Sequence, residues 1–67
     1  MNSIPVIVAT VAILDPRYLP VARGLKPNVL YTYYRSITRE GKCYVFIDQV
    51  RQWYYKDYFI DQDILLN

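Results

Sequence analysis

Apolar and polar residues alternate in short blocks along this chain, and the blocks are too brief and too β-branched for helices. The first, Ile4–Leu14, is apolar but for Thr10, rich in Val and Ile, with Pro5 near its start. β-Branched residues favour the pleated strand, and proline is tolerated at a strand's beginning. A strand buried on much of both faces, or a long strand that bends, is expected there. Asp15–Asn28 follows, with three of the four prolines and one of the two glycines. Proline removes a donor and pushes its predecessor to extended geometry. This stretch predicts a long ordered loop, pinned to the core by Tyr18, Leu19, Val21 and Leu25.

The clearest strand is Val29–Ile37. Its odd positions, Val29, Tyr31, Tyr33, Arg35 and Ile37, are expected to face inward, and its even ones, Leu30, Thr32, Tyr34 and Ser36, outward. Glu40-Gly41 then predicts a tight hairpin, with Gly41 supplying a positive φ. The return strand is Lys42–Asp48, where Cys43, Val45 and Ile47 compete with Tyr44 and Phe46 for the interior. A short polar turn leads to a third strand, Gln52–Tyr55, on which Trp53 and Tyr55 oppose Gln52 and Tyr54. One 3₁₀ turn over Lys56–Phe59 and a last strand over Ile60–Leu66 complete the order. Five short strands in one small domain, residues 1–67, usually close into a barrel, because closure removes exposed edges. A strand, a long loop, a three-stranded meander and a 3₁₀ turn before the last strand is the order of an SH3-like barrel. The fold class expected is therefore all-β, a five-stranded SH3-like barrel.

Composition narrows the chemistry. With 67 residues, one cysteine and no histidine, an internal disulfide is impossible and the usual zinc ligands are missing. No metal or other cofactor is expected. Apolar packing must supply the core, and the eight tyrosines bring large buried area at low rotamer cost. A formal net charge of +2, with basic and acidic residues interleaved, argues against a duplex-DNA binder. The N-terminal apolar run is far short of a membrane span and has no basic residue before Arg17. The expectation is a cytoplasmic protein with a reduced Cys43 and no membrane partner.

The segment "GLKPNVLYTYYRSITREGKCYVFIDQVRQWYYKDYFI" resembles the small SH3-like proteins of bacteriophage and prophage genomes. Their pattern is roughly Leu-x-x-Gly-Lys-x-Tyr-x-Val, a hairpin, a strand ending in an Ile-Asp-type pair, then an aromatic strand and a final Phe. Leu25 matches the leading Leu, Tyr31 the Tyr and Tyr33 the apolar position after it. Ile47-Asp48 matches the strand end, and Tyr54 or Tyr55 with Phe59 the closing pair. Asn28-Val29 stands where the Gly-Lys pair belongs. The resemblance covers roughly Gly24–Asp61. It implies a barrel and a phage or prophage origin, and it brings no catalytic residue, since most members have no known function.

Catalytic constellations are sparse. Cys43 has no histidine to activate it, and its alternation with Val45 and Ile47 reads as an inward thiol packing as a small hydrophobe. Asp61 and Asp63 share a strand face and could hold a cation weakly, although solvated strand-end charges are far commoner. No glycine-rich phosphate loop is present. A non-enzymatic interaction module is expected. Its surface follows from counting: so small a barrel cannot enclose eleven aromatic residues. The outer set is expected to be Tyr34, Tyr44 and Trp53 or Tyr54, flanked by Arg35 and Arg51 and brought together as cross-strand neighbours. Aromatics rimmed by arginine are the composition of protein hot spots, which favours a host or viral protein partner. They also fit stacking on single-stranded nucleic acid. A homo-oligomer, in which the N-terminal strand extends a neighbour's sheet, is the third possibility.

Overall fold

The computed structural model describes residues 8–62. Six strands and two 3₁₀ turns make up its regular structure: β1 (Thr10–Leu14), a first 3₁₀ turn (Pro16–Tyr18), β2 (Tyr31–Tyr33), β3 (Arg35–Arg39), β4 (Lys42–Ile47), β5 (Gln52–Tyr55), a second 3₁₀ turn (Lys56–Tyr58) and β6 (Phe59–Gln62). They form two antiparallel three-stranded sheets, ordered β2-β1-β6 and β3-β4-β5. The all-β expectation holds. The closed five-stranded barrel does not describe the sheets as they stand: among the described residues β5 pairs only with β4 and β6 only with β1, and the second 3₁₀ turn joins them without a ladder.

The sixth strand arises at Tyr34. Val29–Ile37 reads as one strand because its β propensity is unbroken. The chain leaves one sheet and enters the other within it, so that Tyr33 pairs with Thr10 of β1 whereas Arg35 pairs with Phe46 of β4. The expected inward set survives on β2, where Tyr31 and Tyr33 are buried, and fails on β3, where Arg35 and Ile37 are exposed. The break re-aims the odd positions at solvent.

β1 is the central strand of its sheet. Its partners are Tyr31–Tyr33, opposite Thr10–Ala12 on one side, and Phe59–Gln62, opposite Val11–Leu14 on the other. The strand is shorter than the apolar run that suggested it: Val8 is exposed, and residues 4–7 lie outside the described residues. The last strand begins at Phe59; residues 63–66 of the expected strand also lie outside the described ones.

Between the sheets lies one core: Ala12, Leu14, Ala22, Leu25, Tyr31, Tyr33, Val45, Ile47, Tyr54 and Phe59. At roughly 25 cal/mol per Å², each fully buried aliphatic side chain contributes about 1.5–3 kcal/mol, and Leu14, Val45 and Ile47 are of this kind. Two of the core tyrosines satisfy their hydroxyls on the long loop. Tyr54 donates to the Arg23 carbonyl at 2.7 Å, and Tyr31 accepts from the Lys26 amide at 2.7 Å. Asp15 caps the first 3₁₀ turn, accepting from the Arg17 amide at 3.0 Å while the Arg17 guanidinium forks onto both carboxylate oxygens. These hydrogen bonds hold the Asp15 carboxyl below the usual range. The loop is thus ordered from both ends, and Leu25 pins it as expected, with Ala22 beside it. Leu19 and Val21 are exposed.

At the other end of the molecule, the β4–β5 turn reaches the edge of β2. The Asp48 amide donates to the Thr32 carbonyl at 3.0 Å. Gln49 accepts from the Thr32 amide at 2.9 Å and donates to its hydroxyl at 2.8 Å. Otherwise open edge groups of β2 are satisfied by the Asp48 backbone and the Gln49 side chain of this turn. No helix among the described residues is long and apolar enough to cross a membrane.

Candidate functional site: the outer face of β3-β4-β5

Register decides which aromatics share a face. Val45 pairs with Tyr54, and both point into the core. The alternate positions therefore point outward, in three rows across the sheet. Arg35, Phe46 and Trp53 form the first, Ile37, Tyr44 and Tyr55 the second, and Arg39 and Lys42 the third. Each row is a set of directly opposed cross-strand neighbours, the geometry in which side chains meet. Phe46 and Trp53 meet edge to face with centroids 5.3 Å apart, while Tyr44 and Tyr55 stack at 4.8 Å.

The cations are seated on these rings. The Arg35 guanidinium lies 5.2 Å from the Phe46 ring and 5.2 Å from the Tyr34 ring, and it donates to the Tyr34 hydroxyl at 3.2 Å. Lys42 places its amine 5.4 Å from the Tyr55 ring. Such contacts contribute about 0.5–1 kcal/mol each at exposed sites. The face stays open to solvent: Trp53 is 44% exposed, Tyr34 43% and Ile37 40%. A shallow groove lined by Ile37, Arg39, Tyr44 and Trp53 crosses it. The neighbouring Tyr55 hydroxyl, together with partial burial, raises the Tyr44 pKa, so Tyr44 is neutral at ordinary pH.

Of the six residues the sequence pointed to, Tyr34, Arg35, Tyr44 and Trp53 do come together on or beside this face. Tyr54 does not. It is 8% exposed, with its hydroxyl on the Arg23 carbonyl, and belongs to the core. The choice between Trp53 and Tyr54 is settled by strand parity, which points the two in opposite directions. Arg51 lies in the β4–β5 turn at φ 56°, outside the three rows. Sequence reasoning missed Phe46, Tyr55, Ile37, Arg39 and Lys42. For Phe46, Ile37, Arg39 and Lys42 the available signal was the hairpin register about Glu40-Gly41, which sets Arg39 opposite Lys42, Ile37 opposite Tyr44 and Arg35 opposite Phe46 on one common side; Tyr55 is placed only by the pairing of β5 with β4.

The aromatic surface also continues beyond the sheet. Tyr55 meets Tyr58 edge to face at 5.4 Å, and Tyr58 meets Tyr18 of the long loop at 5.0 Å. Beside them a groove is lined by Lys42, Cys43 and Asp57 among others. Cys43 is half-buried there and has no histidine to activate it. Among the described residues, no three Cys, Asp or Glu side chains gather as a metal site; Asp63, the suggested partner of Asp61, lies outside them. Asp61 accepts a hydrogen bond from Tyr33 at 3.0 Å and lies 3.9 Å from Lys56. Comparison with protein-family models, with curated proteins and with solved structures finds no match to this chain.

Proposed function

We propose that this chain is a small non-enzymatic interaction module that engages a macromolecular partner through the outer face of β3-β4-β5. The observation carrying this reading is the convergence of Phe46, Trp53, Tyr44, Tyr55 and Ile37 on one solvent-facing surface with Arg35, Arg39 and Lys42 among them. An exposed aromatic cluster rimmed by arginine has the composition of binding hot spots. A protein presenting acidic and apolar groups meets its requirements, and so does a single-stranded nucleic acid.

An SH3-like barrel is the architecture put forward with this function. It is supported by β1 lying between β2 and β6, by the near-continuity of β2 and β3 around Tyr34, and by the 3₁₀ turn before the last strand. A phage or prophage origin and a cytoplasmic setting belong to the same proposal. They rest on the match of Leu25, Tyr31, Ile47-Asp48 and Phe59 to the family pattern.

The test is affinity capture on the immobilised protein, with the retained material typed by its sensitivity to protease and nuclease. Trp53→Ala and Arg35→Ala are expected to lose the specific partner, and Arg51→Ala to keep it. All three sites are exposed, and circular dichroism would verify that each variant folds. A partner held equally by the native protein, Trp53→Ala and Arg35→Ala would remove this face from consideration.

A further inference from the structure

The charge on the outer face is one-sided. None of the fifteen residues of β3, β4 and β5 is acidic, and three are basic: Arg35, Arg39 and Lys42. Glu40, Asp48 and Asp57, the acids closest in sequence, all lie in turns beyond the strand ends. Asp48 accepts from the Thr32 hydroxyl at 3.4 Å, away from the face. The weak overall charge of +2 therefore hides strands that carry only cations, with Glu40, in the hairpin turn between Arg39 and Lys42, as the acid that reaches Tyr44 on this face.

From this we infer that the partner class is an extended single-stranded nucleic acid, with bases stacked on the aromatic rows and phosphates on the flanking cations. This rests on the reading of the face as the working surface. Three features favour a nucleic acid over a protein. The rings line a solvent-facing sheet crossed by a shallow groove at Tyr44 and Trp53, where flat groups can settle beside the cations seated on Phe46 and Tyr55. Tyr44 and Phe46, like Trp53 and Tyr55, are two residues apart, which spaces the rows by about 7 Å along the strands, close to the reach of one extended nucleotide. Cations stand at both ends of this track, Arg35 in the first row and Arg39 with Lys42 in the third. Aromatic platforms beside a positive track are the means by which single strands are held without sequence readout.

The probe is a labelled single-stranded oligothymidylate of about twelve nucleotides, within the usual span of one such surface. Anisotropy reads its affinity, and emission from Trp53, the only tryptophan in the chain, reads stacking. Binding is expected to quench Trp53. Three phosphate contacts predict a log–log salt slope of about −2, or roughly a 20-fold loss of affinity between 50 and 200 mM salt. Trp53→Ala is expected to weaken binding roughly 5- to 150-fold. Arg39→Ala should reduce the slope by about 0.7 while leaving sequence preference unchanged.

No binding at 50 mM salt overturns the inference. So does polyphosphate competing as well as the oligonucleotide with Trp53 emission unchanged, because charge alone would then account for binding. Equal binding by Trp53→Ala and Arg39→Ala places any nucleic-acid contact elsewhere and overturns it too. If the oligonucleotide fails but a protease-sensitive partner is lost with Trp53→Ala, the nucleic acid is excluded and the face stands. If both experiments are indifferent to Trp53→Ala, the face itself falls.

Discussion

Tyrosine is used here in two opposite ways, and the hydroxyl separates them. Tyr54 is a core residue whose hydroxyl fastens the long loop at Arg23. Its neighbour in that loop, Gly24, sits at φ +90°, and a Cβ there would stand 2.9 Å from the Tyr54 hydroxyl oxygen. Two penalties therefore meet at one position, a backbone that L residues rarely adopt and a collision with a buried ring. Gly24→Ala is expected to cost about 1–3 kcal/mol, and Tyr54→Phe about 1 kcal/mol for its hydrogen bond. The double variant should cost less than the sum, since Phe removes the atom that Ala strikes. Urea titration of the four proteins measures the coupling, and strict additivity would contradict this contact.

Tyr33 makes a second prediction at the same scale. Burial, and then its hydrogen bond to Asp61, push its pKa up to about 12. The folded state thus holds this proton more tightly than the unfolded chain, whose tyrosines titrate near 10. The resulting stability is fully present below about pH 10 and is lost as pH rises towards 12. Tyr33→Phe should flatten that alkaline limb, read by thermal unfolding across the range. An alkaline limb of unchanged steepness would show that Tyr33 does not set it.

Among the elements, the β3–β4 hairpin matters most, because its register composes the outer face. Its turn has positive φ at both central residues, 53° at Glu40 and 77° at Gly41. This is the geometry whose twist matches paired strands, and asparagine or aspartate suits its first position better than glutamate. Glu40→Asn is expected to raise stability by about 0.5–1 kcal/mol, visible as a higher midpoint in urea. A lower midpoint would mean that the Glu40 side chain contributes a contact worth more than the strain. The turn, β4, β5 and the 3₁₀ turn were all legible from local pattern, since each is specified within a few residues. The break at Tyr34 was not. Nothing in "YTYYRSI" marks a boundary, because both halves favour the extended chain equally; only their different partners, β1 and β4, part them.

For the molecule as a whole, sequence determined the class of structure and the surplus of aromatics. β-Branched and aromatic blocks of four to eight residues, separated by proline, glycine and polar turns, leave an all-β chain as the consistent outcome. Eleven aromatics in 67 residues also guarantee that some stand outside the core. What the sequence left open was which ones. On β4 both alternating sets are apolar, so periodicity cannot choose between Val45 and Phe46, and the expected site took in Tyr54 while omitting Phe46 and Tyr55. Tertiary structure made the choice by packing one sheet against the other: the Val45, Ile47 and Tyr54 side meets the β2-β1-β6 sheet, and the opposite side meets solvent. The gathering of cations had the same origin. The hairpin register sets Arg35, Arg39 and Lys42 on one side of β3-β4, but that this side faces solvent was settled only when the other side packed against the second sheet. The face, and with it the functional reading, was decided by the fold.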